Sequence, residues 1–258
     1  MFPEYLTTIG VVLLGLLIGS HLNVLISRLP RNFSTVKPRS RCPYCRVPIR
    51  PVDNIPVLSY FVLKGRCRCC RAPIAARYPL IELLTAILFL AVTQHFGLGA
   101  TTLVAALFGC LMLVLAAIDL EHYLLPDKIT FPGLLLGLVL QPWIPDTSWL
   151  DAGLGALIGA GILILLINGW YWLRGVEGMG LGDVNMLALI GAYLGWQGVL
   201  ITLSIASVSG SLVGLPLLFA GRLGFQSKLP FGVFLALGAL VTLFAKAPII
   251  AWYSRLFY

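Results

Sequence analysis

The feature that most constrains this chain is a series of long apolar stretches, near residues 5–27, 78–96, 99–118, 129–145, 152–173, 184–196, 198–220 and 229–250. Most approach the roughly 20 residues that carry an α-helix across the hydrocarbon of a bilayer. With 59% hydrophobic and 11% charged residues, 258 residues cannot enclose that apolar surface in a water-soluble globule. In lipid every backbone polar group must be satisfied within the chain, and a helix does so segment by segment. The expected fold is therefore an all-α polytopic membrane protein of about eight transmembrane helices. Gly195 and Gly198 interrupt the 184–220 pair and leave its boundary open. The first stretch is too long for a cleaved signal peptide, and its basic residues follow it. No internal repeat or low-complexity tract is visible at this level.

Charge is concentrated in one loop. Between Arg28 and Arg77 lie 12 of the 18 Lys and Arg residues, against a single acid, Asp53. The positive-inside rule puts that loop in the cytoplasm and the N-terminus outside. Alternating spans then place 119–128, 174–183 and 221–228 on the cytoplasmic face. The turn at 146–151, which has no Lys or Arg, falls on the outer face. A basic loop held against a membrane suits anionic lipid headgroups as partners, and nucleic acid is not expected.

Within the loop stand Cys42-Pro-Tyr-Cys45 and Cys67-Arg-Cys-Cys70, 21 residues apart. Two C-x-x-C pairs can present four thiolates in a tetrahedral array, the usual closed structural zinc site. A cytoplasmic loop is reducing, which disfavours disulfides there. Cys69 offers a second register for the latter pair. Arg41, Arg46, Arg66, Arg68 and Arg71 would favour thiolates electrostatically. About 50 residues with few apolar side chains cannot build a core of their own, and a bound metal would supply the missing folding energy. The plain alternative is four unligated thiols. Cys110, in the middle of an apolar stretch, reads as a packing residue.

Only ten acids occur in the chain, so each one at a span can be asked for its role. Asp119 closes the third apolar stretch and Asp183 opens the sixth, both at the cytoplasmic boundary. Acids in such positions are functional candidates by default. Asp183 has a second reading as a helix N-cap, favoured by free N–H groups and the dipole, and Asp127 is expected to cap the stretch that follows it. Asp119, at a helix C-terminus, has no such role. Two carboxylates brought together suit metal-free hydrolysis of a peptide bond, one ionised to take water's proton and one protonated to polarise the carbonyl. Gly178, Gly180 and Gly182 around Asp183 would let a substrate backbone approach closely.

These residues form a recognisable set. Gly180-Leu-Gly-Asp183 has the GxGD form of membrane-embedded aspartyl proteases. Joined with Ile118-Asp119 and Leu125-Pro126-Asp127, it resembles the bacterial type IV prepilin peptidases. GSHLNVLISRLP at 19–30, the double C-x-x-C, RYPLIELLTA at 77–86, EGMGLGDVNMLALIGAYLGW at 177–196 and LPFGVFLALGAL at 229–240 match in order along essentially the whole chain. The resemblance implies a multi-pass enzyme of the bacterial inner membrane. Such an enzyme cleaves the basic leader of type IV prepilins or type II secretion pseudopilins after a glycine at the cytoplasmic face. It then methylates the new N-terminal amine with S-adenosylmethionine. It further implies Asp119 and Asp183 as the catalytic dyad and Cys42, Cys45, Cys67 and Cys70 as the zinc ligands. Residues 1–77 would form an N-terminal part linked to methylation, and 78–258 a seven-helix block carrying the peptidase site.

Three positions depart from the pattern: His21 where phenylalanine is commoner, Asn185 where lysine is, and Val233 where proline is. Asn185 removes a cation that would tune the dyad, and His21 touches the region associated with methylation. His21, His95 and His122 form no ligand set. Glu82, inside the second stretch, has three readings: a cap, a partner of Arg77, or the group that binds the incoming amine or the sulfonium cofactor. Two further readings compete with the bifunctional enzyme. One is a GxGD peptidase without methylation, and the other is a proton-coupled transporter, which would be expected to show a repeat and acids near the midplane.

Overall fold

In a computed structural model the described residues are 4–37, 39–175, 180–221 and 229–255. Gly178 and most of the 221–228 segment therefore lie outside them. The regular structure of the described residues is helical, with two isolated antiparallel bridges and no strand among them. The chain divides into two compact units, 1–102 and 103–258.

In the first unit α1 (Glu4–Arg28) and α3 (Arg77–Phe96) pack antiparallel, with the short α2 (Leu58–Val62) in the loop between them. Their backbones nearly touch. A methyl group added at Gly15 would lie 2.6 Å from the Ala86 Cα, and one at Gly19 would lie 2.7 Å from the Glu82 Cα. Further along the same seam the Asn23 amide donates to the Tyr78 carbonyl at 3.0 Å. In lipid, where apolar surface gives helices no reason to associate, such small-residue contact and hydrogen bonding hold them together.

The second unit is built around α7 (Leu181–Phe219). Residues 186–195 are buried on every side, as expected for a helix with no polar face. Around this limb pack α4 (Ala100–His122), α5 (Asp127–Val139) and α6 (Trp149–Arg174). Phe108 of α4 stacks on Tyr193 at 4.8 Å, Gly133 and Gly137 of α5 face Leu189 and Tyr193, and Gly155 of α6 meets Gly191 backbone to backbone. At Gly195 the helix breaks, with φ 71° and ψ 178°, a conformation open to glycine and strained for any other residue. The chain reverses there. Its second limb runs antiparallel to α8 (Phe231–Arg255), with Gly198 beside Thr242 and Gly214 beside Leu229.

With α7 divided at Gly195, all eight apolar stretches are helical. Among the described residues six helices, counting α7 as one, are long and apolar enough to cross a membrane. The difference from eight full spans lies in the two short segments. The 13 residues of α5 and the first limb of α7 are each about 20 Å long at ~1.5 Å per residue. That is short of the roughly 30 Å hydrocarbon core.

This path gives the second unit two ends. One gathers the C-terminus of α4 and the N-termini of α5, α7 and α8. At the other, Lys246 donates to the Asp146 carbonyl and the Thr147 hydroxyl at 3.2 and 3.3 Å, next to the Gly195 reversal. There Ser148 and Asp151 form a capping box that starts α6.

Candidate active site and cysteine centre

Asp119 lies in the last turn of α4 and is buried, 5% exposed. The helix stops just beyond it. The Tyr123 N–H returns to the Asp119 carbonyl at 2.8 Å, and Tyr123 takes a left-handed φ of 53° that turns the chain into Leu124-Leu-Pro-Asp127. α7 begins at Leu181 with Gly180 as N-cap, which puts Asp183 at the third helical position, its N–H on the Gly180 carbonyl at 3.2 Å. Asp183 is half-buried and within electrostatic reach of Asp119. The two acids expected to act together are thus at the same end of the same unit.

The first turn of α8 completes the surroundings. A methyl group at Gly232 would lie 2.9 Å from the Asp119 Oδ2, so only glycine lets this helix start against the carboxylate. The N–H groups of Gly232 and Val233 face that carboxylate. The positive end of α8 therefore offsets the negative end of α4, the feature that made Asp119 look unsupported in the sequence. Its Oδ2 nevertheless has no well-formed hydrogen bond among the described residues, leaving acceptor capacity for a water or a substrate group.

Three expectations change. Neither Asp183 nor Asp127 is an N-cap; the caps are Gly180 and Pro126, and both acids sit in the first turn, where the dipole still favours them. Asp127 instead accepts a 2.9 Å hydrogen bond from the Asn185 amide, so Asn185 engages the α5 terminus directly. Nor is the space at Gly182 open for a substrate backbone. A methyl group there would meet the Leu125 Cβ at 2.9 Å, and Leu125 also reaches to 3.2 Å of the equivalent point on Gly232. Leu125 therefore occupies the notch between the two glycines that flank the carboxylates.

The cysteine centre is formed by two copies of one hairpin, Arg41-Cys-Pro-Tyr-Cys-Arg-Val-Pro-Ile49 and Arg66-Cys-Arg-Cys-Cys-Arg-Ala-Pro-Ile74. In each, the first cysteine N–H bonds to a carbonyl five residues on, at 3.1 and 2.8 Å, and a left-handed arginine, Arg46 or Arg71, closes the turn. The bridges Arg41–Pro48 and Arg66–Pro73 are equivalent. This short repeat escaped the sequence reading because its shared residues are backbone markers separated by unlike side chains. The Sγ atoms of Cys42, Cys45, Cys67 and Cys70 lie within 4.8 Å of one another, and Cys42 and Cys70 are 3.7 Å apart. A tetrahedron with Zn–S bonds of ~2.3 Å has edges of about 3.8 Å, so the four thiols fit zinc. Cys69 stands outside this set of four.

N–H groups of Cys70 and Cys69 point at the Cys67 sulfur and bring its thiol down to about 7. Arg68 does not serve the sulfurs as expected. It makes a forked contact with Asp53, at 2.6 to 3.0 Å, that holds the Asp53 carboxyl below its ordinary range and fastens the second hairpin to the turn at Pro51–Asn54.

Glu82 is buried on α3, and its Oε2 accepts the Val57 N–H at 2.7 Å. Val57, at φ 60°, is a β-branched residue in a conformation that such residues rarely adopt. Glu82 thus secures the loop just ahead of α2. Of the histidines, His21 is exposed on α1, His95 stacks edge-on against Phe96, and His122 ends α4 at 3.9 Å from Glu121.

Residues 13–96 match the family described as the bacterial peptidase A24 N-terminal domain, and residues 106–215 match the type IV leader peptidase family. Curated relatives named prepilin leader peptidase/N-methyltransferase include one from Burkholderia pseudomallei, 40% identical over 92% of this chain and 85% of its own length. Another, from Aeromonas hydrophila, is 41% identical over 94% of this chain and 92% of its own. A third, from Myxococcus xanthus, is 42% identical over 82% of this chain and 63% of its own. No solved structure matches the chain.

Proposed function

The chain belongs to the type IV leader peptidase family, and from that premise we propose that it removes the leader of type IV prepilins or type II secretion pseudopilins and methylates the amine so exposed. The observation that carries this reading is the pairing of Asp119 with Asp183 at one end of the second unit, with a buried, unsatisfied oxygen on the Asp119 carboxylate.

Two carboxylates brought together for hydrolysis share one proton more readily than they carry two charges. The ionised member takes a proton from water as its oxygen attacks the carbonyl carbon of the glycine that ends the leader. The protonated member gives its proton to the carbonyl oxygen, forming a tetrahedral diol. On collapse a proton passes to the amide nitrogen and the C–N bond breaks, releasing the leader carboxylic acid and a new N-terminal amine. No metal is needed for these steps.

The second activity calls for S-adenosylmethionine, which supplies an electrophilic methyl group to that amine. Glu82 is the candidate residue for this part of the reaction. A buried carboxylate matches a sulfonium or ammonium cation, and the Val57 N–H takes up only part of its acceptor capacity. We assign methylation to residues 1–77 together with Glu82 of α3, and cleavage to the rest of 78–258, with zinc on Cys42, Cys45, Cys67 and Cys70 folding the loop. The site would face the cytoplasm from the bacterial inner membrane, with the N-terminus outside and the basic loop against anionic headgroups.

Purified protein incubated with a prepilin, in detergent and in vesicles with and without anionic lipid, gives the test by intact mass. The product should lose its leader, then gain one methyl group only when S-adenosylmethionine is added, faster in anionic vesicles. Glu82→Gln should depress the methyl gain and spare cleavage. An unchanged prepilin would overturn the peptidase, and a cleaved but never methylated product would leave a peptidase alone.

A further inference from the structure

The hydrogen bond between Asn185 and Asp127 joins two elements that each carry part of the site, and neither residue touches the reacting atoms in the proposed chemistry. Asp127 is the first residue of α5, at the end of the turn that starts from Asp119. Asn185 lies in the opening turns of α7, two residues past Asp183. Along this turn the chain is fixed at three points. Tyr123 returns its N–H to Asp119, Leu125 fills the notch between Gly182 and Gly232, and Asp127 takes the Asn185 amide at 2.9 Å. The first fixes the turn to the helix of one aspartate, and the last fixes it to the helix of the other. Leu125, as an apolar contact, resists compression but does not resist sliding, whereas a hydrogen bond has a preferred direction.

We propose that the Asp127–Asn185 hydrogen bond is a positioning clasp that sets the separation of the Asp119 and Asp183 carboxylates. The proposal rests on those two acids being the catalytic pair. Hydrolysis by two carboxylates tolerates little play, since a misplacement of about 1 Å can lower a rate roughly 100-fold. The bond lies at the surface, with Asp127 exposed and Asn185 partly buried, so the contact adds little to the stability of the fold and its effect falls on geometry. It also needs no charge. Oδ1 of an asparagine at 127 can accept the same bond, and the polarity can be exchanged by placing the amide at 127 and the carboxylate at 185.

The test measures kcat and KM for prepilin cleavage, the melting temperature, and methyl transfer to a pre-cleaved pilin. Asp127→Ala and Asn185→Ala should each lower kcat about 10- to 100-fold, and the double alanine variant should be no worse than either. KM, melting temperature and methyl transfer should stay near the parent values. Asp127→Asn should retain activity. Asn185→Asp, which sets two carboxylates face to face, should be impaired, and combining it with Asp127→Asn should restore kcat. If Asp127→Asn is as damaging as Asp127→Ala, the charge matters and not the bond. If the alanine variants melt early or lose methyl transfer as well, the pair is merely structural. Either result overturns the clasp. Asp183→Asn run alongside keeps the readings apart, because robust cleavage by that variant would remove the dyad itself.

Discussion

Asp119 and Asp183 differ in how they are held, and that difference governs what substitution should do. Asp119 is enclosed by the start of α8, whereas Asp183 stands in the first turn of α7 with its side chain half-buried. Asparagine preserves the shape of either but can neither take water's proton nor alternate protonation states. Asp119→Asn and Asp183→Asn should each reduce prepilin cleavage by roughly 10²–10⁴-fold or more. The double variant should be no worse, as expected of groups that act as a unit. Gly182→Val should also impair cleavage, because its side chain would displace Leu125 and with it the turn from Asp119. Gel-shift cleavage by each purified variant checks all three, and full activity in Asp183→Asn would return that residue to the role of a first-turn acid. The acids were legible because charge is scarce in this chain and each one stands out against an apolar background. Leu125 and Gly232 were not, since one more leucine or glycine in such a sequence carries no mark of what it touches. The same holds for the partner of Asn185, 58 residues away.

At the scale of elements, the loop between α1 and α3 depends on a few fastenings in place of a core. Its exposed apolar residues include Phe61, Val62 and Val52, so little burial holds it. The Asp53–Arg68 fork and the Glu82–Val57 bond do that work, and a metal on the four thiols would add to it. Purified protein should therefore carry about one zinc per chain by metal analysis. Replacing Cys42 and Cys45 with serine should remove the metal and lower loop stability, with methylation lost before hydrolysis. Freshly prepared protein without zinc would mean free thiols. The C-x-x-C spacing made this centre readable in advance, because metal ligation ties chemistry to short-range sequence. Helix ends were less readable. Hydropathy locates the apolar stretches near 129–145 and 184–220, but whether a stretch runs straight, stops after 13 residues or reverses at a glycine depends on its neighbours. Gly195 takes φ 71° as only glycine readily can, and Thr147 and Asp151 close around it and leave little room for a side chain, a contact no local pattern announces.

Over the whole molecule, the distribution of charge and the path of the helices bear on the same question from different sides. The second unit has two distinct ends, with Asp119 and Asp183 at one and the 146–151 turn, Lys246 and Gly195 at the other. On the proposed orientation the lysine and arginine count would put the loop from Arg28 to Arg77 in the cytoplasm, and alternation along the chain would carry Asp119 and Asp183 to that side. These two lines meet only if the 146–151 turn faces outward. Nature has supplied part of the probe, because five of the six cysteines lie in the basic loop and the sixth, Cys110, is buried inside α4. An impermeant thiol reagent should therefore leave the parent protein unlabelled in intact spheroplasts and reach the exposed Cys69 only after the membrane is broken. Ser148→Cys should be labelled in the intact spheroplasts, because the α6 N-terminus projects from the far end of the second unit. Val36→Cys, exposed in the basic loop, should behave as Cys69 does. The opposite pattern, with Cys69 labelled and Ser148→Cys shielded, would put both carboxylates on the outer face. A leader held in the cytoplasm could not then reach them.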